Sequence, residues 1–306
     1  MAQLPLQWFK AMIAMELRNV KYKIFRKECC NTDIFLDRRP FHYYNTGTGT
    51  LHSLPWNLYL LLEELPMNIT IIYASGRKTR SSTYQIAQML IKELLEDGTC
   101  FSFFLPDDMP HICTGCRACI LGKEHACKGA AAMAPILEAM EQSELILFCA
   151  PTYVYHVPGQ MKSLLDHLAY RWMVHRPDLS FMKKQAVIIN TAAGGGMRST
   201  VRDIKDSTEN LGFARTHCIS QSVWDYAWND LPESFRKSIQ HKVTRTARNV
   251  RHCARHLTPS PKVWCEFTLY RFLHKHKKMS TVDDAYWQEH GYNTGWPWKN
   301  KKHCNY

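Results

Sequence analysis

The chain has 306 residues, 45% of them hydrophobic and 22% charged, a globular balance that excludes a disordered polyelectrolyte. No apolar run reaches the ~18 residues of a membrane-spanning helix, and Lys10, Glu16 and Arg18 interrupt the stretch where a secretion signal would lie. A membrane-free, cytoplasmic protein is therefore expected. The net charge of +12 splits into +2 over residues 1–66, −1 over 67–235 and +11 over 236–306, so the basic character belongs to the C-terminal end.

Residues 1–66 show no clear period, although Leu4–Leu17 is compatible with a helix and Thr46–Gly49 with a loop. From Asn68 onward, strands alternate with helices, the pattern of a parallel sheet with crossovers. Asn68–Ala74 is a β-rich run, and Tyr84–Leu95 has helical apolar spacing. Strands follow at Cys100–Leu105 and Glu144–Ala150, with a short helix at Met133–Met140 between them. A helix over Pro158–Trp172, a strand at Gln185–Thr191, a helix at Met197–Leu211 closed by Gly212, and a weaker strand at Ala214–Val223 complete the series. Such doubly wound sheets bind ligands outside the carboxyl ends of the strands. Beyond Asp230-Leu-Pro-Glu233, an amphipathic helix places Phe235, Ile239, Val243, Ala247, Val250, Ala254 and Leu257 on one stripe. Pro259 and Pro261 end it, and a second helix over Val263–His276 carries Phe267, Tyr270, Phe272 and Leu273.

Three loops at carboxyl ends have binding character. Ser75, Arg77, Ser81, Ser82 and Thr83 lie between the first strand and its helix, where hydroxyls, backbone N–H groups and the helix dipole suit a phosphate. A plain N-cap would use the same residues. Pro151, Thr152, Tyr153, Val154 and Tyr155 follow the third strand and offer an aromatic wall with backbone donors, or else fill the edge of the core. Ala193, Gly194, Gly195 and Gly196 follow the fourth strand and allow close backbone approach.

The motifs Ala74-Ser75-Gly76-Arg77-Lys78, Ser81-Ser82, Ala150-Pro151-Thr152-Tyr153, Pro158-Gly159-Gln160-Met161-Lys162 with Leu165-Asp166, and Gly115-Cys116-Arg117-Ala118-Cys119 resemble, in order, those of the flavodoxin-like NAD(P)H-dependent FMN reductases, including their iron–sulfur branch. The departures are Ala74 and Arg80 where glycine is usual, and Gly129–Met133 in place of an acidic run. The resemblance implies a flavodoxin-like five-stranded parallel sheet of order 2-1-3-4-5. It divides the chain into an N-terminal extension at 1–66, an FMN-binding domain at 67–228 and a helical C-terminal extension at 229–306. It also implies an oxidoreductase that holds FMN in the three loops, takes a hydride from NADH or NADPH, passes electrons to an unidentified acceptor and assembles as a homo-oligomer.

Cys113, Cys116, Cys119 and Cys127 stand in one loop at spacings that fit a [4Fe–4S] cluster, a four-thiolate zinc site, or a metal-free redox dithiol. His125 reads as a solvent-facing loop residue. The basic residues Arg245, Arg248, Arg251 and Arg255 invite a nucleic-acid reading, but a charged outer face is also what an amphipathic helix requires, and the latter reading is preferred. The rivals to a flavin enzyme are a non-enzymatic electron carrier and a zinc-stabilised nucleic-acid-binding protein.

Overall fold

The computed structural model describes residues 67–295, apart from 96–97, 225, 255–256 and 277–278, together with the segments 42–44 and 51–53. The chain separates into two compact units, Met1–Leu62 and Glu63–Tyr306. In the first, His42–Tyr44 pairs antiparallel with Leu51–Ser53. The helix expected over Leu4–Leu17 and the loop at 46–49 lie outside the described residues.

The second unit is built on β1 (Ile69–Tyr73), β2 (Cys100–Phe104), β3 (Leu145–Pro151), β4 (Gln185–Ala192) and β5 (Arg215–Ser222), all parallel, in the order β2-β1-β3-β4-β5. The central strands β1, β3 and β4 are buried along nearly their whole length, which is why they read as continuous apolar runs. The edge strand β2 has exposed and half-buried positions only, and β5 mixes exposed, half-buried and buried ones. Strand order reverses between β1 and β3, and a crevice at their carboxyl ends follows from that topology.

Helices cover both faces. On one, α2 (Ala130–Gln142), α3 (Gly159–His167) and α4 (Met197–Leu211) pack Ile136, Leu164, Leu165 and Ile204 against Ile72, Phe148 and Ile188. On the other, α1 (Ser82–Leu94) and α5 (Glu233–Ala254) pack Ile86, Leu90, Ile239, Val243 and Val250 against Ile71, Leu147 and Ile189. The last two helices, α6 (Pro261–His276) and α7 (Thr281–Glu289), share a small cluster of Val263, Phe267 and Trp287 with Met173 and Met182. Among the described residues no helix is long and apolar enough to cross a membrane.

Four features differ from the sequence expectation. Helix α3 stops at His167, whose Nδ1 bonds the Ser163 carbonyl, and the chain tightens into a 3₁₀ turn at Ala169–Arg171. Pro261 opens α6 instead of only closing the preceding helix, the first-turn position where its missing N–H costs nothing. The apolar side of α6 is Val263 and Phe267 with His274; Phe272 is exposed. His274 is buried because its ring stacks on Trp287 at 4.5 Å and its nitrogens bond Asp284 and the Val174 carbonyl. Helix α7 was not foreseen; it starts at Ser280, whose hydroxyl accepts the Asp283 N–H.

Candidate functional site

The loop after β1 begins at the buried Ser75, whose Oγ accepts the Arg77 N–H at 3.3 Å. A 3₁₀ turn over Lys78–Arg80 leads to Ser81, the N-cap of α1. The Ser81 hydroxyl accepts from the Tyr84 N–H, donates to the Lys78 carbonyl and lies 3.1 Å from the Thr83 hydroxyl. Ser75, Ser81 and Thr83 are buried, Ser82 is half-buried, and Gly76 and Arg77 face solvent. Lys78 is ion-paired with Asp107 from the loop after β2, which raises its ammonium pKa above the ordinary value through hydrogen bonding and charge.

The loop after β3 folds back on itself. Tyr153 and His156 exchange backbone hydrogen bonds of 3.0 Å each way, and Val154 and Tyr155 between them have φ of 46° and 65°. This is the backbone of a type I′ turn, a shape that favours Asn-Gly. Placing a β-branched and an aromatic residue there stores about 1–3 kcal/mol of strain per residue. The turn holds Val154 and Tyr155 outward, 93% and 67% exposed, with Tyr153 partly covered beside them. Asp203 on α4 fixes its far end by accepting from the Val157 N–H and bonding His156 Nδ1 at 3.1 Å.

The glycine loop after β4 meets this turn directly. A Cβ on Gly196, whose φ is +82°, would lie 2.5 Å from the Tyr155 Cα and 2.9 Å from the Thr152 Cγ2. On Gly195 it would touch the Tyr155 ring at 3.0 Å. Glycine at 196 is thus required by the packing of one loop on the other. Around Gly76, Gly159 and Gly194, by contrast, a Cβ would meet no protein atom within 4 Å. Ala193 is exposed beside Gly194, and its carbonyl accepts from the Ser222 hydroxyl.

Residues that were not among the expected ligand-holding ones, Asn190, Thr200 and Gln160, tie these loops together. Buried Asn190 donates to the Ala150 carbonyl at 2.8 Å and to Thr152 Oγ1 at 3.1 Å. Thr152 in turn lies 3.0 Å from the Thr200 hydroxyl on α4. Gln160, in the first turn of α3, donates to the Ala74 carbonyl at 2.7 Å and so joins the loop after β1 to the helix that follows the loop after β3. A polar residue inside the apolar run of β4 was the one signal that could have flagged Asn190.

The long loop after β2 runs beside α3: the Cys113 N–H donates to Ser163 Oγ at 3.2 Å, and Ser163 donates to the His111 carbonyl. Its four cysteines are free thiols, Cys116 exposed and Cys113, Cys119 and Cys127 half-buried. Among the described residues no set of three or more His, Cys, Asp or Glu side chains converges on a metal-sized point. As placed, these cysteines fit neither a four-thiolate cluster nor zinc, both of which need all four sulfurs to converge. His125 is exposed.

The sheet order, the helices on both faces and three adjoining loops at the crevice are the setting in which comparison with known proteins becomes informative. A search among curated proteins by sequence finds no match. Among solved structures, an NAD(P)H:quinone oxidoreductase from Methanothermobacter marburgensis aligns over 61% of this chain and 98% of its own at 14% identity, with a TM-score of 0.50. That likeness establishes the fold. An NADH:FMN oxidoreductase in its apo form aligns over 64% of this chain and 93% of its own (14% identity, TM-score 0.44). An FMN-dependent NADH-azoreductase from Bacillus anthracis, solved in complex with FMN, aligns over 59% and 99% (12% identity, TM-score 0.45). The family described as NADPH-dependent FMN reductase matches residues 67–228, more than half of the chain and the segment that carries all three loops. The chain belongs to the NADPH-dependent FMN reductase family, and its fold is flavodoxin-like.

Proposed function

We propose that the protein is an FMN-dependent NAD(P)H oxidoreductase whose active site is the crevice above β1, β3 and β4. The observation that carries this reading is the junction of the three loops: Gln160 ties the start of the loop after β1 to the helix that follows the loop after β3, and Tyr155 of the latter loop packs on Gly195 and Gly196 of the loop after β4. In this reading Ser75, Arg77, Ser81, Ser82 and Thr83 hold the FMN phosphate at the N-terminus of α1. Pro151, Thr152, Tyr153, Val154 and Tyr155 would border the ring system together with Ala193, Gly194, Gly195 and Gly196. The open space around Gly76, Gly159 and Gly194 is what such a ligand would use. Bound FMN supplies the hydride chemistry, accepting from the nicotinamide and delivering to an acceptor. The chain's own work is positional: Asn190 and Thr200 fix Thr152, and Asp203 fixes the Tyr153–His156 turn.

From the flavin the electrons pass to the acceptor. The domain division follows: the site lies within 67–228, the helices of 229–306 flank it as an extension, and 1–66 is a separate N-terminal extension. The exposed apolar side chains Val154, Tyr155 and Trp224 support assembly as a homo-oligomer. The test is titration of the flavin-free protein with FMN, followed by flavin fluorescence, then anaerobic addition of NADPH. Quenching at stoichiometric FMN and bleaching of the flavin absorbance are expected. No FMN binding would defeat the proposal, and binding without bleaching would leave an electron carrier.

A further inference from the structure

Helix α5 turns a single sign of charge outward. It holds six Lys and Arg but one acid, Glu233, at its first position. Three of the six are engaged inside the molecule. Arg236 donates to the carbonyls of Trp228, Asn229 and Leu231, Lys242 to the Ser220 carbonyl and Gln221 Oε1, and Arg251 to the Glu93 carbonyl. Lys237, Arg245 and Arg248 remain, in line with His241 and His252, and all five are exposed. Among the described residues Arg245, Arg248, His241 and His252 make no hydrogen bond or ion pair, and Lys237 meets only Glu233, at 3.9 Å between two well-exposed side chains. Steps of four, four, three and four residues put the five on a strip about 80° wide that runs about 22 Å along the helix. An outer helix face that is simply solvated mixes its signs, because opposite charges one turn apart stabilise and like charges destabilise. This strip does not. Glu93 of α1, an acid that α5 contacts, accepts from Gln240 and Thr244 instead.

We propose that this ridge of α5 binds the phosphate backbone of duplex nucleic acid without reading its sequence. A duplex carries one negative charge per ~1.7 Å of axis, so cations about 5–6 Å apart meet phosphates in any register. Arg245 and Arg248 present planar forks that match phosphate oxygens, and His241 and His252 add ring N–H donors. Sequence readout needs an element that enters a groove. Helix α5 is half sunk in the core through Ile239, Val243, Ala247 and Val250, so only its rim of charge reaches a partner. An anionic membrane is the poorer occupant. The apolar side of α5 is covered by the sheet and has nothing to insert, and three Lys and Arg fall short of the ~4–8 of lipid-binding clusters. The surface lies beyond residue 228, outside the segment that carries the three crevice loops.

The test follows a fluorescently labelled DNA duplex of ~24 base pairs by anisotropy as the full, flavin-free chain is added, at salt from ~20 to ~200 mM. Binding is expected at the lowest salt, with log K falling against log salt at a slope of about −3, the value for three neutralised phosphates. Arg245→Gln with Arg248→Gln should bring the slope to about −1 and weaken binding at the lowest salt at least ~tenfold, while urea denaturation and FMN titration match the parent. Lys123→Gln with Lys128→Gln removes the same charge from an exposed loop elsewhere and should leave duplex binding as it was. Because the duplex titration contains no flavin, its result is separate from whether FMN binds. No anisotropy change at the lowest salt, a slope untouched by the α5 pair, an equal loss from the Lys123 and Lys128 pair, or tighter retention on phosphatidylserine vesicles than on the duplex would each overturn the assignment.

Discussion

Replacing Gly196 by alanine tests whether the junction of the glycine loop with the Tyr153–His156 turn holds the site together. Two costs add. A residue with a side chain at φ +82° costs about 1–2 kcal/mol. The new Cβ would sit 2.5 Å from the Tyr155 Cα and 3.1 Å from its carbonyl carbon, which are backbone atoms that cannot rotate away. Relieving that overlap by moving the turn costs a further ~1–3 kcal/mol. Gly196→Ala should therefore destabilise by about 2–5 kcal/mol, a fall in Tm of roughly 5–15 °C for a domain of this size. Gly194→Ala is the control: a Cβ there meets no protein atom within 4 Å, so stability should stay within ~0.5 kcal/mol of the parent. If Gly194 borders the ring, its variant should still lose FMN affinity. The measurements are urea denaturation without ligand and FMN titration by fluorescence. A Gly196→Ala protein as stable as its parent would refute the packing argument, and a Gly194→Ala protein that binds FMN normally would remove that glycine from the site.

Three further outcomes are expected. Ser81→Ala removes the N-cap of α1 and should cost about 1 kcal/mol in urea denaturation, with a larger proportional loss in FMN affinity if the hydroxyl also contacts phosphate. Arg176→Met leaves Glu124 without its cation and the buried Asp283 with His175 alone, and should cost about 3–5 kcal/mol, while Arg176→Met with Asp283→Asn should cost less than the sum of the singles. Burial raises the Glu266 carboxyl above its ordinary value, Lys262 opposing and Glu209 and Asp206 reinforcing, and its Oε2 is buried with no hydrogen-bond partner among the described residues. The folded state thus binds this proton more tightly than the unfolded chain, so the stabilisation is complete below the ordinary carboxylate pKa and is lost as pH rises through the folded value. Glu266→Gln should flatten the stability–pH curve above the ordinary carboxylate pKa, and an unchanged curve would count against the burial argument.

Much of this fold was readable because its signals are local. The buried strands β1, β3 and β4 are continuous apolar runs, and α4 is bounded as expected by Gly196 and Gly212, both left-handed. The three loops were readable as well, since hydroxyl, aromatic and glycine clusters at strand ends need no long-range information. What sequence could not supply was the cross-links. Gln160 reaches a carbonyl 86 positions earlier, and Arg176 an aspartate 107 positions later, and neither residue type or spacing announces such a partner. Helix α7 and the buried His274 were hidden for the same reason: their apolar surroundings are completed by Met173 and Met182, far away in sequence. The cysteine spacing suggested a metal, but spacing does not say where the four sulfurs point in the folded loop.

The placement of α5 bears on how the protein can be handled. The family match stops at residue 228, yet Ile239, Val243, Ala247 and Val250 sit in the same core cluster as Leu90, Ile189 and Ile219. Gln185 of β4 donates to the Val250 carbonyl, and Arg251 to that of Glu93. A chain cut where the recognisable motifs end would keep every loop of the crevice and lose one of the two helices, α5, that cover one side of the sheet. The exposed strip of Ile, Leu and Val would seek cover from other molecules, so the segment that carries the chemistry would precipitate before its chemistry could be measured.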